Sequence, residues 1–236
     1  MSIHSDQSQL PPPGPPSLQT LPPLEAGDSL TRPEFERRYE AMPWLKKAEL
    51  IDGVVYVGSP VAEPHANAHG RLMTWLGTYR AHTPGIGLAD NATVRLDLAN
   101  EVQPDALLRV ITAGQSRLGR GDYIEGPPEL VAEVASTTAS RDMHSKLALY
   151  RRHGVREYLV WRVLDARVDW FQLVEGDFQP LAADGEGVFR SLVFPGLWLD
   201  WPALLRDEMA GVLLRLGQGV ASPEHAQFVN QLSTPA

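Results

Sequence analysis

The chain has no cysteine among its 236 residues. That excludes a disulfide framework and any thiolate metal site. A bound metal would have to be held by oxygen or imidazole, and with carboxylates dominant, Mg²⁺ or Mn²⁺ comes before Zn²⁺. No stretch approaches the roughly 18 uninterrupted apolar residues of a membrane span. The first residues lack a charged-then-apolar signal pattern, so a soluble cytoplasmic protein is expected. A Gly-x-Ser-x-Gly elbow, a Walker loop and a cysteine nucleophile are all missing, which leaves little room for a small-molecule hydrolase. Excess positive charge is missing as well. The net charge is −8 and argues against a non-specific nucleic-acid binder. It does not exclude a nucleic-acid enzyme, because part of the negative charge would belong to metal ligands. Arg117, Arg120, Arg141, Arg151, Arg152 and Arg156 offer either a local basic face or ordinary solvated charges.

Hydrophobic residues make up 43% of the chain, enough for the core of one domain. Residues 1–28 carry Pro11-Pro12-Pro13-Gly14-Pro15-Pro16 and Pro22-Pro23 without apolar periodicity, so a disordered, proline-rich tail is expected there. The domain is expected over 29–216 and a loose tail over 217–236. Within the domain, Thr31 and Pro33 begin a short helix. Residues 48–51, the Asp52-Gly53 turn and residues 54–57 form a hairpin. Leu72, Trp75, Leu76 and Tyr79 recur at helical spacing, and strands are expected near 87–89, 92–96 and 106–111. The polar stretch 112–126 is expected to be a mobile flap. A strand at 130–135, a helix over 139–153 ended by Gly154 and a strand at 156–163 follow. Next come a hairpin at 168–181, an edge strand at 188–192 and one helix over 202–216. A strand–helix–strand unit at the centre and an excess of strands predict a mixed α/β fold around a central sheet.

Two acids stand out against that pattern. Glu133 lies in the middle of Leu130-Val131-Ala132-Glu133-Val134-Ala135, whose length, flanks and valines predict a buried strand. A carboxylate there is expensive unless it is paired, protonated or bound to a metal. Asp105 follows Gln103-Pro104 and opens another apolar strand. Two acids on neighbouring strands repel each other, and a divalent cation between them removes the conflict. Lys146 lies on the following helix, within reach of the Glu133 strand if the chain turns back at 136–140, and Glu49 lies on the first hairpin. Metal-dependent phosphodiester cleavage needs this set: acids for the cation, and a lysine to orient or deprotonate the attacking water. Taken singly, each has an ordinary reading. Asp105 suits a turn, Glu133 a buried arginine partner, Lys146 a surface ion pair with Asp142, and Glu49 a hairpin. His65 and His69, at i and i+4, have a metal-binding spacing, but with no third ligand in sight capping or hydrogen bonding is the favoured role.

The joint order carries more. Glu49-Leu50-Ile51-Asp52-Gly53-Val54-Val55-Tyr56, then Ser59-Pro60, His65 and Gln103-Pro104-Asp105, resembles the restriction endonucleases of the Uma-two family, within the PD-(D/E)XK nuclease superfamily. The resemblance continues through residues 126–136, Arg141-Asp142, Lys146, Tyr150, Gly154-Val155, Glu157-Tyr158 and Val160-Trp161, covering about residues 30–200. It implies a restriction-endonuclease-like core, a mixed sheet flanked by helices. By position, Asp105 matches the acid after proline and Glu133 the acid of the next strand. Lys146 matches a lysine that has migrated to the adjacent helix, and Glu49 an extra ligand or water-positioner. In the parent superfamily the lysine stands two residues after the second acid. Here Ala135 occupies that place, so the mechanism depends on Lys146 reaching the site.

The expected function is a Mg²⁺- or Mn²⁺-dependent endonuclease acting on DNA, with Asp105 and Glu133 as metal ligands. A homodimer is one arrangement that supplies two active sites for two strands. The alternative is a non-catalytic interaction module on the same fold, to which the acidic balance and the proline-rich tail also point. Cation binding separates the two.

Overall fold

The computed structural model describes residues 21–135 and 139–233, apart from the side chains of 139–143. Most of the proline-rich tail (1–20) and the turn expected at 136–138 lie outside the described residues, as do the side chains of Arg141 and Asp142. Residues 21–28 are not loose throughout, because Leu24 is buried with Phe35, Leu50 and Val55.

Helix α1 (Arg32–Glu40) starts with Pro33 in its first turn. Strands β1 (Ala48–Ile51) and β2 (Val54–Val57) pair antiparallel. They are closed by Asp52 and Gly53 at φ 53° and 74°, the left-handed pair that a tight hairpin turn requires. Helix α2 (Glu63–His82) buries Ala68, Leu72, Trp75, Leu76 and Tyr79 along one face. After it come β3 (Ile86–Asp90), β4 (Val94–Arg95), β5 (Glu101–Val102) and β6 (Ala106–Val110). The segment 112–126, expected to be a flap, contains β7 (Arg117–Leu118) and β8 (Ile124–Glu125), which pair with each other and, through β4, join the first sheet. Strand β9 (Leu130–Ala135), helix α3 (Ala139–Arg152) and strand β10 (Glu157–Arg162) form the central strand–helix–strand unit, with β9 and β10 parallel. Strands β11 (Arg167–Val174), β12 (Asp177–Pro180), β13 (Val188–Arg190) and β14 (Trp198–Asp200) complete the sheets.

The strands form two six-stranded sheets, β2-β1-β5-β4-β8-β7 and β12-β11-β10-β9-β6-β3, and a β13-β14 ribbon. Strand β13 therefore pairs with β14 and does not edge the central sheet. The helix expected over 202–216 is two, α4 (Trp201–Leu205) and α5 (Met209–Val220). They are separated at Asp207, whose φ is 63°. The expected loose tail is also corrected. Residues 217–220 finish α5, and α6 (Pro223–Ser233) packs Phe228 and Leu232 onto the core. Buried apolar surface there outweighs the chain entropy that Gly217 and Gly219 add.

Alternation along the central sheet decides what faces what. Leu130, Ala132 and Val134 of β9 join the core under α2 and α5. Val131 points the other way, into the core with Leu149 and Tyr150 of α3 and Ile51 and Val94 of the first sheet. Glu133 shares the parity of Val131, so it enters the space between α3 and the first sheet. The register pairs Ala106 with Ala132 and Leu107 with Val131. One step further sets Asp105 opposite Glu133.

Candidate active site

Glu49, Asp105, Glu133 and Lys146 line one cavity of about 670 Å³, between the β1–β2 hairpin, the start of α2, the ends of β6 and β9, and α3. Lys146 does reach the site. Its Nζ lies 2.9 Å from Glu133 Oε1 and 3.1 Å from Glu49 Oε2. Tyr150, one turn further along α3, donates its hydroxyl to the same Glu133 Oε1 at 3.0 Å. Glu49 is held from behind by the Gln103 amide, which donates to Oε1 at 2.8 Å. Asp105 is anchored by the Val134 amide at 2.9 Å on Oδ2. Its Oδ1 accepts from Lys47 Nζ at 3.1 Å.

The charges explain how three buried acids coexist. Burial would raise the Asp105 carboxyl, but Lys47, the Val134 amide, Lys146 and His65 hold it below its ordinary range. Glu133 is pushed up by burial and by the charges of Asp105 and Glu49, against the pull of Lys146 and Lys47. Burial alone would depress Lys146, yet Glu133 and Glu49 hold it well above the ordinary lysine value. Lys47 is raised for the same reason, with Asp105, Glu133 and Glu49 outweighing its burial. Against these acids both lysines are ammonium groups at neutral pH. With all three acids ionised, three carboxylates against two ammoniums would carry one formal negative charge, a setting that favours a further cation.

Of the two histidine side chains, only that of His69 is within hydrogen-bonding distance of a partner among the described residues. His69 Nε2 lies 2.9 Å from the Asp105 carbonyl oxygen and 3.3 Å from Asp90 Oδ1, while His65 Nε2 is 3.8 Å from Asp105 Oδ2. Among the described residues, no three His, Asp or Glu side chains converge as a ready metal cage. The arginines do not form a basic face on the cavity. Arg141 lies outside the described side chains; none of the other five lines it, and Arg117, Arg151 and Arg152 pair with Glu125, Asp177 and Asp52.

Sequence reasoning missed Lys47. It precedes β1 by one residue and stands two before Glu49, on the same face of the extended chain. The signal that was available is scarcity. Of 21 basic residues only Lys46, Lys47 and Lys146 are lysines, and two of them are in this cavity. Tyr56 was also passed over, although it lies directly across the hairpin from Glu49 and lines the cavity wall.

A crystal structure described as a "putative nuclease belonging to DUF820", from Anabaena variabilis, shares this fold with a TM-score of 0.56. The match covers 72% of this chain and 96% of that one at 10% sequence identity. The fold is thus restriction-endonuclease-like. Residues 32–202 match the model of the Uma2 family, described as "Putative restriction endonuclease", and the chain belongs to that family. Membership supports a nuclease function. A comparison with curated proteins finds no match. None of the described helices is long and apolar enough to cross a membrane.

Proposed function

We propose that this protein is a metal-dependent endonuclease that hydrolyses phosphodiester bonds of DNA, with Asp105 and Glu133 as the ligands of a Mg²⁺ or Mn²⁺ ion. The observation that carries this reading is the convergence of Glu133, Glu49 and Lys146, with Asp105 on the adjoining strand, in one cavity of about 670 Å³. The residues present suit such an ion. An all-oxygen donor pair with a residual negative charge is what a hard cation prefers. Mg²⁺ is commonly held by one or two carboxylates, with water and phosphate oxygens completing its shell, so a third protein ligand is not required. When bound, the cation would lower the pKa of a water and neutralise charge on the phosphate.

The chain's own groups divide the remaining work. Lys146, held as an ammonium, donates toward the charge that gathers on the phosphate oxygens. Glu49 is a positioning residue: fixed by the Gln103 amide, it aims Lys146. Tyr150 fixes the Glu133 rotamer.

Calorimetric titration of Mn²⁺ into the wild type, Asp105→Asn and Glu133→Gln tests this. Stoichiometric binding in the wild type and its loss in both variants are expected, with nicking of supercoiled plasmid following the same order. One observation favours the interaction-module reading, namely that no arginine lines the cavity among the described residues. Equal, negligible Mn²⁺ binding by all three proteins would select it.

A further inference from the structure

Two ammoniums occupy the acidic cavity, and they are held very differently. Lys146 is pinned by two carboxylates, with only 12% of its side chain exposed. Lys47 has one charged partner, Asp105 Oδ1 at 3.1 Å, and a weaker neutral contact with Asn91 Oδ1 at 3.3 Å; its side chain is 29% exposed. The other Asp105 oxygen already serves the Val134 amide. A cation approaching Asp105 therefore meets the oxygen that Lys47 holds. A divalent ion at its usual distance of about 2.0–2.1 Å from that oxygen would face the ammonium across a single atom, in a partly dry site where like charges repel strongly.

From this geometry we propose that Lys47 is a displaceable placeholder for the metal at Asp105: it neutralises the acid while the site is empty, leaves when the ion enters, and then contacts the substrate phosphate. This rests on the metal-dependent reading above. The structure offers the means for such a swap. Lys47 stands just outside β1 on a flexible four-carbon stem, its exposure shows a path outward, and the cavity it enters is where a phosphate must sit. Lys146 lacks such a path and keeps its place.

The placeholder role makes two variants diverge. Lys47→Met removes the competing charge but keeps the bulk of the stem. Lys47→Arg keeps the charge and can grip a carboxylate with two parallel hydrogen bonds. Calorimetry with Mn²⁺ alone, on the full chain, is expected to show Lys47→Met binding about tenfold tighter than wild type and Lys47→Arg binding more weakly. A lysine with a purely structural role predicts no such opposition, and thermal unfolding of each variant confirms that the folded protein is being titrated. Affinity for Mn²⁺ equal to or weaker than wild type in Lys47→Met overturns the proposal. If Asp105→Asn still abolishes binding in that case, the nuclease reading survives it. No binding by any of these proteins sinks both. Plasmid nicking at saturating Mn²⁺ tests the second half: slower turnover by Lys47→Met supports the phosphate contact, and unchanged turnover removes it.

Discussion

Five buried carboxylates lie along the central sheet and the adjoining hairpin, and they fall into two groups. Glu129 and Glu157, at the start of β9 and β10, are almost fully enclosed. Glu129 accepts from the Val110 and Gln115 amides at 2.8 and 2.7 Å. Glu157 accepts from the Ser191 hydroxyl at 2.7 Å and from the Leu192 and Val193 amides at 2.8 and 3.2 Å. Glu49, Asp105 and Glu133 are nearly as buried, but each has a lysine ammonium among its partners and opens onto the cavity. A backbone amide cannot leave its acceptor without the chain unfolding, whereas the partly exposed ammonium of Lys47 can. Burial of an acid therefore does not separate the two groups. Opening onto the cavity beside a lysine does.

The sharpest way to break that comparison is to neutralise one acid of each kind. Glu133→Gln is expected to slow nicking about a thousandfold, the several kcal/mol that a metal ligand supplies to the transition state. Its stability, followed by urea unfolding, should move by only about 1 kcal/mol, since Lys146 keeps Glu49. Glu157→Ala should do the reverse. Stranding a buried hydroxyl and two amides is expected to destabilise the protein by about 3 kcal/mol. Mn²⁺ affinity of the remaining folded molecules should be unchanged. A Glu133 variant that lost stability and activity in step would erase the distinction between the groups.

What was legible in the sequence follows the same physical line. Hairpin β1–β2, helix α2 and the β9–α3–β10 unit carry strong periodicity or turn chemistry, and all of them formed where that pattern placed them. Of the four two-residue strands only β4 falls in a stretch read as a strand; β5, β7 and β8 have no period to detect, and pairing with neighbours makes them strands. The break between α4 and α5 has no glycine or proline to announce it, and the apolar spacing of Leu205, Met209, Val212 and Leu216 runs straight through it. At the candidate site, Glu133 announced itself because a charge interrupts an apolar strand. Lys47 did not, since a Lys-Lys pair before a strand is an ordinary solvated surface unless the shortage of lysine elsewhere is weighed. The roles of Glu129 and Glu157 were equally hidden, because their donors are mainly backbone amides that no side-chain pattern reveals.

Glu101 sharpens the comparison from a third side, with a smaller expected effect. It is buried on β5 and has side-chain partners, like the cavity acids, but no cavity. Its Oε2 takes 3.2 Å contact from Arg95 Nε, a guanidinium that Glu36 also approaches at 2.9 Å. Burial first, and then the neighbouring Glu36 carboxylate, push its pKa up to about 7 from an ordinary 4.5, although Arg95 pulls the other way. The sign follows from proton uptake. Between these two values the folded chain holds a proton that the unfolded chain has released, so stability falls as pH rises through the window and the loss is complete above about 7. The shift corresponds to on the order of 3 kcal/mol. Urea unfolding of Glu101→Gln at pH 5 and pH 8 should therefore show a shallower decline than wild type, with the variant the more stable protein at pH 8. An unchanged slope would mean that Arg95 satisfies Glu101 in spite of its burial. The line between the two groups would then be drawn by access to the cavity and not by the kind of donor.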